Sequence, residues 1–153
     1  MAHRSAWPLA VLVVEDEALL AMDIEAIIED AGHCVVAEGA SLHDVVALDE
    51  TLRPDLAFVD LQLAKGTSGI DVCALIRVRW PGTMVVFLTA NPLKIPSDFA
   101  GAHGLIAKPF SRTGLLTAMR YIAEGVVDPP PLSAQPSSFV ASPALTATWA
   151  ERL

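Results

Sequence analysis

Cysteines, cationic side chains and long apolar runs are all scarce in this chain, and each scarcity removes a class of function. Only Cys34 and Cys73 are present, without C-x-x-C or Cys/His spacing, so neither a disulfide framework nor a zinc site is expected. Both thiols fall in apolar segments and are read as reduced core residues, which suits a cytoplasmic setting. Lys and Arg number 10 against 18 Asp and Glu, for a formal net charge of -8. The basic footprint of a nucleic-acid binder is missing. The run Leu9 to Val14 holds six apolar residues before Glu15, too short for a signal-peptide core and far below the ~18 of a membrane span. His33, His43 and His103 share no ligand spacing and are read as surface or loop residues, with Trp7 and Trp80 as packing groups.

The 153 residues, 53% hydrophobic and 18% charged, suffice for one core with some tail left over. Two stretches organise it. Leu56-Ala57-Phe58-Val59 is apolar on both faces, as a buried parallel strand is, and ends in Asp60. Leu9 to Val14 ends likewise in Glu15-Asp16-Glu17. After it, Leu20, Ile24, Ile27, Ile28 and Ala31 recur at helical spacing, which predicts a helix from Glu17 to Ala31 stopped by Gly32. Cys34 to Ala37 reads as a short strand, and Ser41-x-x-Asp44 as a capping box opening a helix that runs to about Leu52.

Beyond Asp60, a Gly/Ser/Thr-rich loop leads into a helix with Val72, Cys73, Ile76 and Trp80 inward, stopped by Pro81-Gly82. Met84 to Leu88 is a further buried strand, ending in Thr89-Ala90-Asn91. Pro92, Pro96, Gly101 and Gly104 lie within thirteen residues, so that segment is expected to be a loop or a single turn. Leu105 to Ala107 makes a short strand before Lys108-Pro109, and a last helix runs from Arg112 to Glu124 with Ser111 as N-cap. Alternating strands and helices imply a doubly wound α/β fold whose polar strand ends meet at one edge. Residues 8–125 form this domain. The Pro/Ser/Ala-rich residues 126–153 are placed outside its core, as a disordered extension or a short helix from Ser142-Pro143. In the second case Leu145, Trp149 and Leu153 share one stripe, able to pair two chains or cover the sheet edge.

Collected strand ends supply Glu15, Asp16 and Asp60, the hydroxyl of Thr89 and the ammonium of Lys108. Like charges about 4 Å apart repel by roughly 4 kcal/mol even at an effective dielectric of 20, so such a cluster calls for a cation. A hard, oxygen-liganded ion such as Mg²⁺ fits. A pocket of that composition suits an incoming phosphoryl group, with Asp60 as the covalent acceptor.

The segments Val11-Leu12-Val13-Val14-Glu15-Asp16-Glu17, Pro54-Asp55-Leu56-Ala57-Phe58-Val59-Asp60, Phe87-Leu88-Thr89-Ala90 and Lys108-Pro109-Phe110 resemble, in order, the four motifs of response-regulator receiver domains. The resemblance covers Pro8 to Glu124 and is nearest to stand-alone, single-domain receivers. It implies a flavodoxin-like five-stranded parallel sheet of order 2-1-3-4-5 and a cis Lys108-Pro109 bond. It implies phosphorylation of Asp60 by a histidine kinase or phosphotransfer protein, and signalling to a downstream protein by contacts rather than enzymatic turnover. By the same resemblance Mg²⁺ is held by Asp16, Asp60 and the Gln62 backbone carbonyl, with Glu15 acting through a metal-bound water. Lys108, Thr89 and the Ala90 amide then contact the phosphoryl group. The chain departs from the family at Leu105, where an aromatic is usual, in a fourth helix that should be short or missing, and at Leu63-Ala64, which replaces Met-Pro and suggests a looser loop. Two other readings stand beside this one. An aspartyl-phosphate phosphatase usually has a second Asp where Gln62 stands, and a pseudo-receiver scaffold would not need the complete acidic pair, acceptor and Lys.

Overall fold

A computed structural model describes residues 7–150. Strands β1 (Ala10–Val14), β2 (Cys34–Gly39), β3 (Leu56–Asp60), β4 (Met84–Thr89), β5 (Gly104–Ala107) and β6 (Val140–Ala141) form one sheet of order β2-β1-β3-β4-β5-β6. The first five are parallel in the expected order, and β6 is an addition, antiparallel to β5. Every residue of β3 and β4 is buried, because helices or packed loops cover both faces. Helices α1 (Ala18–Asp30) and α4 (Arg112–Val127) pack on one face, and α2 (Leu42–Val46) and α3 (Gly69–Arg79) on the other. No helix among the described residues is long and apolar enough to cross a membrane.

Local signals set most boundaries. Ser111 accepts from the Gly114 amide at 2.9 Å and Ser68 from the Ile70 amide at 3.1 Å, each satisfying a first-turn donor. Gly32 follows α1 with φ +92°, a left-handed value that glycine adopts without steric cost. The segment after β4 makes only two single 3-10 turns, Pro92–Lys94 and Phe99–Gly101, as its prolines and glycines predict.

Several expectations are corrected. Helix α2 stops at Val46, not Leu52, because Arg79 donates to the Val45 and Val46 carbonyls at 3.0 Å each. The next turn is closed by Asp49, which accepts from Thr51, while the Trp80 indole takes the Glu50 carbonyl. Cys34 is exposed, since β2 is the sheet edge and alternates exposed and half-buried residues, whereas Cys73 is buried as expected. His33 and His103 are loop residues, as one of the two expected placements has it, but His33 is buried and His103 half-buried: their Nδ1 atoms accept from the Leu9 and Val85 amides. The loop after Asp60 is not loose. A Gln62–Ser68 bridge, a 3-10 turn at Ala64–Gly66 and the Gly69-to-Leu61 backbone bond of 2.8 Å fasten it. Trp80 is buried as a packing group, while Trp7 rests against His33 at 4.1 Å between ring centroids and stays 54% exposed.

Of the two forms expected for the C-terminal extension, the short helix from Ser142-Pro143 is the one found, but the segment packs as part of the core and not outside it. Helix α4 continues to Val127, and the Glu124 carboxylate then accepts from the Leu132 and Ser133 amides and the Ser133 hydroxyl, turning the chain back. Phe139 is 1% exposed within the α1/α4 cluster. Ser142 caps α5 (Pro143–Ala150), which buries Leu145 and Trp149, and Trp149 meets Tyr121 edge-on at 5.6 Å. Leu153 lies outside the described residues. Glycines make room for this packing: a Cβ at Gly104 would collide with the Phe139 ring, and one at Gly125 with Trp149. Phe139→Ala should therefore destabilise the chain by about 3–5 kcal/mol, the usual cost of emptying a phenylalanine site, measured by urea unfolding. A loss below about 0.5 kcal/mol, the range of surface changes, would contradict this packing.

Candidate functional site

The order of strands reverses between β1 and β3, and the crevice at that switch point opens at their carboxyl ends. Glu15 follows β1, Asp60 ends β3, Thr89 ends β4 and Lys108 follows β5, so alternation of strand and helix delivers all four to one rim. Lys108 Nζ lies 2.9 Å from Asp60 Oδ2 and 3.2 Å from Glu15 Oε2. Lys108 leaves β5 through a cis bond to Pro109, and its own amide donates to the Thr89 carbonyl at 2.8 Å. Glu15, Asp16 and Asp60 offer carboxylate oxygens that all lie within 4.8 Å of one another, a set that can hold a metal ion. Glu15 and Asp60 are buried and Asp16 is exposed, so the cluster is reached from solvent on the Asp16 side.

The second oxygen of Asp60, Oδ1, accepts from the Gln62 amide at 3.0 Å, which fixes the carboxylate plane and leads the chain past it into the α3 loop. Thr89 is 2% exposed, and its hydroxyl accepts from the Asn91 amide at 2.9 Å, so it borders the acidic cluster without touching it. Ala90 is exposed on the same rim. Gly69 is a position that the sequence reading passed over. It sits so close to Asp60 that a Cβ would collide with the Asp60 carbonyl, and the visible signal was a glycine directly after the Ser68 cap.

The charges are not balanced by one ammonium. Burial, then the neighbouring Asp60, raises the Glu15 pKa to about 7, and Lys108 only partly opposes this. Burial would lower the Lys108 pKa, but Asp60 and Glu15 outweigh it and raise the value, keeping the ammonium charged. An extra cation would relieve the remaining repulsion, and oxygen-rich carboxylate donors suit a hard one.

A raised carboxyl pKa means that the folded state binds a proton more readily than the unfolded state. In cation-free buffer, Glu15 should therefore favour folding increasingly as pH falls from about 7 toward its ordinary 4.5. His33 and His103, whose pKa values burial lowers, act in the opposite sense, so the comparison is wild type against Glu15→Gln. The midpoint of thermal unfolding should move toward higher stability in wild type relative to Glu15→Gln over that window. Parallel pH profiles for the two proteins would show that Glu15 ionises as in water.

Residues 11–120 match the family model described as the response regulator receiver domain. Among characterised relatives, the phyllosphere-induced regulator PhyR of Methylorubrum extorquens is 37% identical over 102 residues, 65% of this chain and 38% of that protein. The transcriptional regulatory protein PdtaR of Mycobacterium tuberculosis is 34% identical over 118 residues, 75% of this chain and 57% of that one. The chain thus spans only part of the length of these relatives. The solution structure of the PhyR receiver domain of Erythrobacter litoralis superposes with a TM-score of 0.65 at 28% identity, covering 85% of this chain and 98% of that one. PhyR from Brucella abortus gives 0.62 at 33%, covering 76% and 47%. Motif order, sheet order and these matches agree: the chain belongs to the response-regulator receiver family.

Proposed function

We propose that Asp60 accepts a phosphoryl group from the phosphohistidine of a histidine kinase or phosphotransfer protein, and that the chain signals by altered protein contacts. The observation that carries this reading is the 2.9 Å pairing of Asp60 with Lys108 at the open carboxyl end of the sheet, beside two further carboxylates. In the transfer, an Asp60 oxygen forms the new bond to phosphorus. The phosphorus–nitrogen bond of the donor breaks, and its electron pair stays on the imidazole. Lys108 turns from the carboxylates to a phosphoryl oxygen, and Thr89 exchanges the Asn91 amide for another. The Ala90 amide donates to a third oxygen. Asp16, Asp60 and the Gln62 carbonyl would hold Mg²⁺, with Glu15 reaching it through water. Bound there, the ion would neutralise the carboxylates and the transferring oxygens.

On this reading the chain turns over nothing except its own phosphoryl group, by phosphorylation and hydrolysis at Asp60. The likeness to proteins described as PhyR stress response regulators, at 35% identity, supports a stress-response setting for its partners. Acetyl phosphate with Mg²⁺ should add one phosphoryl group, read by intact mass. Asp60→Asn should abolish the gain and Lys108→Ala should slow it by roughly 10²-fold, the cost of removing one charge-stabilising donor. No gain in the wild type, or a gain that persists in Asp60→Asn, rules the reading out.

A further inference from the structure

Strand β5 is shared by two structures with no other reason to communicate. At its carboxyl end Ala107 pairs with Thr89, and Lys108 holds Asp60 and Glu15. At its start Gly104 pairs with Ala141 and Leu105 with Val140, and the Ser142 amide donates to the His103 carbonyl. Only Ile106 and Ala107 separate Lys108 from the part of β5 that pairs with the returning C-terminal segment. That segment is held by buried Phe139, Leu145 and Trp149 and by the Ser138 hydroxyl, which donates to the Gly114 carbonyl at 2.8 Å. Phe139 is buried directly over Gly104, where a Cβ would collide with its ring, and Trp149 sits as closely over Gly125. Only two residue pairs join β6 to the sheet, and Val140 between the anchors is 46% exposed.

We infer that residues 137–150 are a strap over the β5 edge and α4 whose hold is weakened when Asp60 is phosphorylated, so that the site's state is read at the far edge of the sheet. The inference rests on the proposed phosphorylation of Asp60. A phosphoryl group adds about 1.5 to 2 negative charges at the rim. It draws Lys108 and Thr89 toward itself, and both bear on the last residue of β5: Ala107 pairs with Thr89, and the Lys108 amide that follows it donates to the Thr89 carbonyl. A four-residue strand moves as one piece, and the Phe139 seat over Gly104 has no slack to follow it. Close-packed contacts of this kind switch between arrangements and do not stretch. Loosening the strap uncovers strand edge at β5 and the apolar α4 face around Tyr121 and Gly125.

Hydrogen exchange on the full chain, with phosphorylation monitored by intact mass, tests this. In the singly phosphorylated protein, peptides within 137–150 should exchange roughly tenfold faster than in the unmodified protein, while those of β1 and β3 do not change. The acetyl phosphate-treated Asp60→Asn variant should show no such change. Exchange in 137–150 that is unchanged or slower in protein carrying the phosphoryl group overturns the strap and leaves phosphorylation standing. Absence of the phosphoryl group removes both. A second arm uses linkage: Ser142→Ala removes the α5 cap that holds the Leu145 amide at 3.0 Å. That mild weakening should make the phosphoryl mimic beryllofluoride, with Mg²⁺, bind several-fold more tightly. Unchanged affinity in a variant whose strap exchanges faster also overturns the inference.

Discussion

Negative charge crowded at the carboxyl end of a parallel sheet is the constraint that the rest of the structure answers. The strand order makes β1 and β3 neighbours, so Glu15 and Asp60 cannot be separated without changing the fold. Repulsion of roughly 4 kcal/mol per close pair, at an effective dielectric of 20, must be offset locally. Lys108 supplies that offset by reaching from beyond β5 across the end of β4. The ammonium therefore ties the central strands together and sets where β5 ends. It offsets the charge only in part: burial first, and the neighbouring Asp60 second, still raise the Glu15 pKa to about 7. That remainder makes the rim a place where a further cation is favoured.

The central elements were legible because each carried its own physical signal. Leu56 to Val59 and Met84 to Leu88 are apolar at consecutive positions, which only a strand covered on both faces tolerates, and both are fully buried. Ser68 and Ser111 cap their helices as short polar side chains before apolar periodicity do. The convergence of Glu15, Asp60 and Lys108 was legible for a related reason, since a charged side chain directly after a buried strand has few places to go except the rim. Less legible were side chains that serve the backbone. His33 and His103 have no apolar pattern of their own, yet their Nδ1 atoms satisfy strand amides. The truncation of α2 depends on Arg79, which lies 33 residues beyond Val46 in sequence.

The C-terminal extension was legible only in part, for the same reason on a larger scale: its helix start at Ser142-Pro143 shows, its packing into the core does not. Its proline and serine content is that of an unfolded segment, and composition averages over the few residues that decide the matter. Phe139, Leu145 and Trp149 are bulky residues of a stretch otherwise made mostly of Ala, Ser, Thr and Pro. Their sites are made by Gly104, Gly125 and Tyr121, whose suitability appears only when β5 and α4 are already assembled. A glycine in the first position of a strand or in the last turn of a helix is a cost to that element. Here the bulky rings laid over Gly104 and Gly125 account for it.

The segment between Asn91 and Gly104 shows how a receiver sheet can be covered without a regular fourth helix. Pro92 and Pro96 remove amide donors that a helix needs. Phe99, Ala100 and Gly101 then have φ of 57°, 51° and 88°, left-handed values that no right-handed helix passes through. Yet the face is not left open. Ile95 and Phe99 pack against the α3-side cluster that contains Leu105 and Ala102. The turn at Phe99–Gly101 contacts α3, where Arg77 lies so close to Gly101 that any side chain would strike its guanidinium. Single apolar anchors on irregular backbone thus replace a helical face. They leave the rim between Thr89 and Lys94 held by short-range bonds, the Asn91 amide to Thr89 Oγ1 among them. Such bonds can be exchanged one at a time, so this part of the rim can rearrange without moving a whole helix.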